Sequence, residues 1–251
     1  CVVVGRSQNP WRECDLFRMA GTGLPLVRRY TGGGTVYHDP GNLNFAFISP
    51  REGYDKVENA LFVVRALEKL GIPAQVNERT DLVARGRKFS GSAYRLTKEK
   101  ALHHGTILIA ADLDALRAVL KPSFPEIESR GVASVSSPVI ALSQILPGLE
   151  LPAVEEALAR EAGGGLEAVA VDEAIYRESA PTAEEFRSWE WRLGKTPRFS
   201  FSPPSSAGEA VRLEVEHGTL VAVGGAGAKA WEGEIGKKLD QIGNLSLLLN
   251  D

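Results

Sequence analysis

The sequence predicts an α/β protein of mixed α+β sheets, with a larger domain over residues 1–195 and a small C-terminal α+β domain over residues 196–251. Two patterns predict it. Short β-branched and aromatic runs, such as Val2-Val3-Val4 and Phe45-Ala46-Phe47-Ile48, alternate with longer stretches whose apolar residues recur at helical spacing. A stretch rich in Ser and Pro over residues 200–208 then precedes a segment where Val211, Leu213 and Val215 alternate with polar and charged residues. The chain has 251 residues, 43% hydrophobic and 24% charged, which is enough for a real core and close to an ordinary globular balance.

Each element follows from local chemistry. Val2–Val4 is a short strand, and residues 12–21 suit a helix ending near Gly21 or Gly23. Residues 26–30 and 35–38 flank three glycines as strands, and residues 44–49 continue the sheet. Asp55 and Glu58 form a D-x-x-E capping pattern. Behind it, Val57, Leu61, Val64, Leu67 and Leu70 share one helical face with Phe62 beside them, and Gly71 and Pro73 stop the helix. Residues 81–84, 88–89 and 106–110 are strands, with turns at Arg85-Gly86 and near Lys98-Glu99. Asp112 caps a helix striped by Leu113, Leu116, Val119 and Leu120 and ended by Lys121-Pro122. Leu151–Glu161 is a further helix, for which Gly163-Gly164-Gly165 serves as C-cap and linker. Two strands then surround a His217-Gly218 turn, and residues 230–242 suit a last helix.

Charge and cysteine content narrow the class. A net charge of -3 gives no global basic field, so nucleic acid is not an expected partner. A local patch from Arg28, Arg29, Arg85, Arg87 and Lys88 can still form. No apolar run is long enough to span a bilayer, so no membrane role is expected. Two cysteines, Cys1 and Cys14, argue against a disulfide framework or a cysteine-rich metal site. The chain opens on Cys1 and runs straight into an apolar strand, which reads as a start inside a longer fold.

The densest chemical signal is Arg28-Arg29-Tyr30-Thr31-Gly32-Gly33-Gly34-Thr35-Val36-Tyr37-His38-Asp39. Successive glycines let main-chain N–H groups approach a ligand, and arginine adds donors suited to phosphate or carboxylate. The same residues also suit a tight hairpin turn with a solvated arginine pair. Gly86-Arg87-Lys88-Phe89-Ser90-Gly91-Ser92 is a second such place, where Lys88 supplies a compact positive charge. Asp81 is either a turn cap or a single carboxylate for Mg²⁺ beside phosphates. His103 and His104 are adjacent, so on a strand they face opposite ways, one packed and the other lining a pocket. His38 is expected to steady the glycine loop through Asp39.

These segments closely resemble the lipoate–protein ligase family, including the mitochondrial lipoyltransferases. So do Val4-Gly5-Arg6-Ser7-Gln8-Asn9-Pro10-Trp11-Arg12-Glu13-Cys14, Gly41-Asn42-Leu43-Asn44, Leu102-His103-His104-Gly105-Thr106 and Trp189-Glu190-Trp191-Arg192-Leu193-Gly194-Lys195. The resemblance runs from residue 2 to about residue 199 and implies the catalytic fold shared by biotin and lipoate ligases, with several dozen further residues upstream. It implies activation of lipoate by ATP and Mg²⁺ to lipoyl-AMP, then transfer to a lysine of an acceptor protein. Implied acceptors are lipoyl domains of 2-oxoacid dehydrogenase E2 subunits and the glycine-cleavage H protein.

By the same resemblance Lys88 is the catalytic residue, touching the lipoyl carboxyl oxygen and a nucleotide phosphate. Arg29, Gly34, Thr35, Val36 and Tyr37 hold the nucleotide, with Arg29 on a phosphate, and Gly33 and His104 join Lys88 around lipoate. Phe45, Phe47, Val83 and Ile107 are candidates for a narrow apolar tunnel. Ser134-Val135-Ser136-Ser137-Pro138-Val139 stands where bacterial relatives typically carry arginines, and is closer to eukaryotic members. That departure keeps open an ATP-independent transferase using lipoyl-AMP or an acylated donor protein; a non-catalytic scaffold is the third reading. Localisation is expected to be mitochondrial if the source is eukaryotic and cytoplasmic if bacterial. Some relatives transfer octanoyl groups through a cysteine, but Cys14 lies in a segment shared with ATP-using ligases and is expected to be structural.

Overall fold

The computed structural model describes residues 1–124, 126–163, 173–203, 210–242 and 245. The chain opens with β1 (Val2–Val4), whose register runs parallel to β2 (Leu26–Arg28) and antiparallel to β3 (Val36–Tyr37). Between β1 and β2 lie two short helices, α1 (Pro10–Glu13) and α2 (Leu16–Thr22), where one helix was expected. The break has a local cause. Cys14 is extended, and the Asp15 side chain caps a new helix by accepting from the Arg18 amide, as Asn9 does for Trp11 in the first.

The long strand β4 (Asn42–Pro50) leads to α3 (Lys56–Glu68), capped by Asp55 as the sequence predicts and followed by Gly71 in the left-handed region. Its buried face differs from the expected stripe: Ala60, Val63, Val64 and Leu67 are buried, while Val57 and Leu61 are exposed. Small Ala60 lets the backbone pack closely, so the contact face centres there. The meander β5 (Ala74–Val76), β6 (Leu82–Ala84) and β7 (Arg87–Ser90) follows. Arg85 and Gly86, both at positive φ, make its tight hairpin turn. Then β8 (Ser92–Leu96) and β9 (Lys100–Leu108) pair with β4 in the order β4-β9-β8. The strand expected at 106–110 therefore begins six residues earlier, and β8 had no clear apolar alternation to mark it.

Asp112 caps α4 (Leu113–Val119) as predicted. After β10 (Glu128–Ser129) comes α5 (Leu151–Glu161), and Gly163 at φ +104 follows its C-cap; Gly164 and Gly165 lie outside the described residues. Helices α6 (Glu173–Glu178) and α7 (Ala180–Arg187) precede one π-type turn, Glu190–Gly194. The last sheet has the order β10-β11-β12-β13, built from β11 (Phe199–Phe201), β12 (Arg212–Glu216) and β13 (Thr219–Gly224). The expected linker thus begins later, since Ser200 and Phe201 are strand; residues 204–209 lie outside the described residues.

The expected helix over 230–242 is absent. Two 3₁₀ turns, Ala228–Glu234 and Leu239–Gln241, stand there instead, separated by Gly236 at φ +90. The Gly236 amide donates to the Leu220 carbonyl and the Leu239 amide to the Gly218 carbonyl, so donors an α-helix would use internally go to β13 and its turn.

Two apolar cores result. One gathers Val2, Val4, Trp11, Phe124, Phe199, Phe201, Leu213 and Trp231, joining the chain's start to its C-terminal sheet. The other packs α3 and α5 against Phe89, Ile107, Ile109 and Leu142. No described helix is long and apolar enough to cross a membrane.

Candidate active site

Arg28 ends β2 and Arg29 follows it, and the two side chains go to different partners, as alternation along an extended backbone favours. Arg28 is fully buried and wholly structural. It donates from Nε to the carbonyls of Trp191 and Arg192, from Nη1 to those of Gly5, Arg6 and Gln8, and from Nη2 to Thr196 Oγ1, at 2.8–3.2 Å. Arg29 shapes the glycine loop. Its Nη2 donates to the Gly32 and Gly34 carbonyls at 2.6 and 2.7 Å, its Nη1 to Val3 at 3.1 Å, and its Nε to Thr31 Oγ1 at 3.1 Å. Burial lowers the pKa of each arginine to about 10, so both stay cationic at neutral pH. Gly33 sits at φ +90, and a Cβ there would lie 3.0 Å from Arg29 Nη2, so this position needs glycine.

The loop borders a cavity of about 1720 Å³. The residues expected around the nucleotide, the lipoate carboxyl and the metal line it: Arg29, Gly33, Gly34, Thr35, Val36, Tyr37, Asp81, Lys88 and His104. Its volume exceeds the usual range for one drug-sized ligand, which leaves room for two substrates. Arg12, Arg79, Arg87, Arg117 and Lys121 add positive charge to its walls against Glu13 and Asp81. An anionic ligand suits that balance. Of the basic residues expected to converge, Arg85 is not in the wall.

Lys88 reaches the cavity from β7. Its Nζ lies 2.6 Å from Asp81 Oδ1, and Asp81 Oδ2 lies 4.0 Å from Arg79 Nε. The Asp81 amide donates to Asn77 Oδ1 at 2.9 Å, with Thr80 at φ 64 completing the tight turn. Asp81 is thus first a partner for lysine. Among the described residues no group of three His, Cys, Asp or Glu side chains could hold a metal.

The two adjacent histidines divide as strand geometry predicts. His104 lines the cavity, its Nε2 2.7 Å from Thr31 Oγ1, and burial together with Arg29 lowers its pKa. His103 is buried against Phe45, Phe47 and Tyr94, with Nε2 3.1 Å from Ser92 Oγ; burial, then His104, lower its pKa to about 4. His38 also lines the cavity, but the expected link through Asp39 is not made. The Asp39 carboxylate accepts instead from the amides of Gly41 and Asp112, at 2.8 and 2.7 Å.

Of the proposed tunnel residues, Phe45 alone is in the wall, its ring laid over Gly105, where a Cβ would come 2.5 Å from Cζ. Ile107 is in the core, Phe47 packs on Phe62, and Val83 pairs with Lys88 within the meander. Cys14 is buried outside the wall, its Sγ donating to the Pro10 carbonyl. Burial, then Glu13 and Asp15, push its thiol pKa well up, which leaves it unreactive.

The sequence set residues 134–139 apart only as a departure from bacterial relatives; the segment 132–139 lines the cavity. It carries a hydrogen bond from the Thr35 amide to Ser134 Oγ at 2.9 Å. It also brackets Lys88: the Lys88 amide donates to the Pro138 carbonyl and the Ile140 amide to the Lys88 carbonyl, at 2.9 and 3.0 Å. Phe186 of α7 is a further wall residue with no sequence signal, since it belongs to an ordinary amphipathic helix.

The fold is similar to that of solved lipoate-protein ligases. P. falciparum LipL1 in complex with lipoate is 25% identical at a TM-score of 0.67, covering 94% of this chain and 74% of its own. A lipoate-protein ligase A bound with ATP is 29% identical at 0.62, covering 76% and 81%. A bi-partite lipoate protein ligase from Thermoplasma acidophilum, solved in a study with its E2 lipoyl domain, is 28% identical at 0.61, covering 76% and 79%. The family model for the lipoyl protein ligase A/B catalytic domain matches residues 1–163. That match spans the glycine loop, Asp81, Lys88, His104 and the 132–139 segment, and the chain belongs to the lipoyl protein ligase A/B catalytic domain family.

Proposed function

We propose that this chain is a lipoate–protein ligase that activates lipoate with ATP and transfers the lipoyl group to a lysine of a lipoyl domain. The observation that carries the reading is Lys88. Its ammonium is presented in one large cavity whose walls also hold the Gly33–Tyr37 loop and His104. The first step joins a lipoate carboxylate oxygen to the α-phosphorus of ATP and releases pyrophosphate. Lys88 is suited to counter charge on the carboxyl and phosphate oxygens, and Asp81 holds it in place. Arg29 adds fixed positive charge while shaping the loop whose amides face the nucleotide. In the second step an acceptor lysine nitrogen attacks the carbonyl carbon, the C–O bond to AMP breaks, and the amine proton passes to solvent. The adenylate is already activated, so the enzyme need supply no nucleophile, and orientation carries much of the rate.

Mg²⁺ would arrive with the ATP phosphates and neutralise their charge; the Asp81 carboxylate, whose Oδ2 lies 3.5 Å from Asn77 Nδ2 and 4.0 Å from Arg79 Nε, is the candidate protein ligand. Acceptors on this reading are lipoyl domains of E2 type and the glycine-cleavage H protein.

A second reading, an ATP-independent transferase, draws on Ser134, Ser136 and Ser137 where bacterial relatives typically carry arginine. One experiment separates the two. A purified lipoyl domain is incubated with the protein, lipoate and Mg²⁺, with and without ATP, and followed by intact mass. An ATP-dependent gain of one lipoyl group supports the ligase. A gain with synthetic lipoyl-AMP alone supports the transferase, and no gain from either overturns the ligase and leaves transfer from an acylated donor protein or a non-catalytic scaffold.

A further inference from the structure

We infer that Gln8 is the positioning residue that sets the spacing between the glycine loop and the 132–139 segment, and so between the nucleotide-facing amides and Lys88. Gln8 is 1% exposed and is not part of the cavity wall. Its side-chain amide has two acceptor sites and two donors, and all four are used. Oε1 accepts from the Gly5 amide at 2.8 Å and from Thr35 Oγ1 at 2.9 Å. Nε2 donates to Ser134 Oγ at 3.0 Å and to the Val132 carbonyl at 3.4 Å. The Gly5 amide can only donate, which fixes the orientation of the group.

A closed ring of hydrogen bonds results. Ser134 Oγ also accepts from the Thr35 amide at 2.9 Å, so Gln8, Thr35 and Ser134 each bond the other two. The ring is anchored at both ends. The Gln8 carbonyl accepts from buried Arg28 at 2.8 Å, and the Ser134 amide donates to the Glu13 carboxylate. From Ser134 the chain continues to Pro138, whose carbonyl holds the Lys88 amide. Thr35 leads into β3 of the β2-β1-β3 sheet while Lys88 stands in β7 of the β5-β6-β7 sheet, and Gln8 is a buried polar group that bonds both loops between them. Buried polar ties of this kind specify one geometry, because leaving any member unpaired is costly.

The inference rests on the ligase reading for its kinetic consequence but not for its structural one, and the test uses both. Gln8→Met keeps the volume and removes all four bonds; Gln8→Glu keeps the acceptor end and loses the donor end; Ser134→Ala removes the far partner. Amide hydrogen exchange over residues 32–36 and 131–139 is expected to speed up by about tenfold in Gln8→Met and less in Gln8→Glu. In adenylate formation the KM for ATP should rise about tenfold while the KM for lipoate stays within about twofold. Ser134→Ala should add less to Gln8→Met than it does to the wild type, since the Gln8–Ser134 bond is already lost and only the bond from the Thr35 amide remains to be removed. Unchanged exchange in both loops of a folded variant, or an equal change in both KM values, overturns the inference. If the wild-type protein forms no lipoyl-AMP, the ligase reading fails and the exchange measurement still decides the role of Gln8.

Discussion

Lys88 and Asp81 meet across the β6–β7 hairpin, Nζ to Oδ1 at 2.6 Å, because Lys88 pairs with Val83 and Asp81 stands two residues before it. The pair aims an ammonium at the cavity without burying it fully. Lys88→Ala is expected to lower adenylate formation at least about a hundredfold, the usual cost of losing one preorganised charge. Asp81→Asn should lower it about tenfold, by freeing the lysine rather than removing it. Pyrophosphate release under single-turnover conditions measures both, and full activity in Lys88→Ala would falsify the proposed role.

Arg28 predicts a different phenotype. Its guanidinium serves five backbone carbonyls and one hydroxyl while fully buried. Arg28→Met should cost on the order of 3–5 kcal/mol in urea unfolding, since it strands buried acceptors. Arg29→Lys should be milder in stability yet harmful to nucleotide binding, because a lysine cannot gather the Val3, Gly32 and Gly34 carbonyls at once.

The histidines set a pH dependence. His103 has its folded pKa lowered from the ordinary 6.5 to about 4, by burial first. The unfolded chain therefore binds the proton more readily, and stability rises with pH through this window. The contribution is complete above about pH 6.5 and is lost as pH falls towards 4; it is on the order of 3 kcal/mol. His38 and His104 are lowered in the same sense and steepen the slope. Urea unfolding between pH 4 and 7.5 should show it, and His103→Gln should flatten it; an unaltered slope in that variant would assign the effect elsewhere.

Cys14 should prove dispensable for chemistry. Cys14→Ser is expected to retain activity within about threefold and to cost about 1–2 kcal/mol of stability, the price of a polar atom in that core. The native thiol should resist alkylation until the protein unfolds. A folded but inactive serine variant would point to a thiol route instead.

Local chemistry was readable from the chain. The Asp55 and Asp112 caps, the Arg85-Gly86 and His217-Gly218 turns and the opposite facing of His103 and His104 each depend on neighbours within a few residues. The expectations that failed involve competition over distance. Residues 230–242 have helical spacing, yet their backbone donors go to β13 and its turn. The α3 stripe is centred by packing against distant Ala and Val partners, which periodicity alone cannot rank.

By itself the sequence determined the α/β class, the motifs and the residue types that meet at the cavity. Glycines at unusual φ and charged side chains at turns announce themselves in one dimension. Tertiary structure alone decided which of Arg28 and Arg29 is buried, that Asp81 answers Lys88, and that Gln8 ties Thr35 to Ser134 across 27 and 126 residues of chain. Such pairings arise when buried polar groups must find partners in three dimensions, and separation along the chain carries no record of which partner that is.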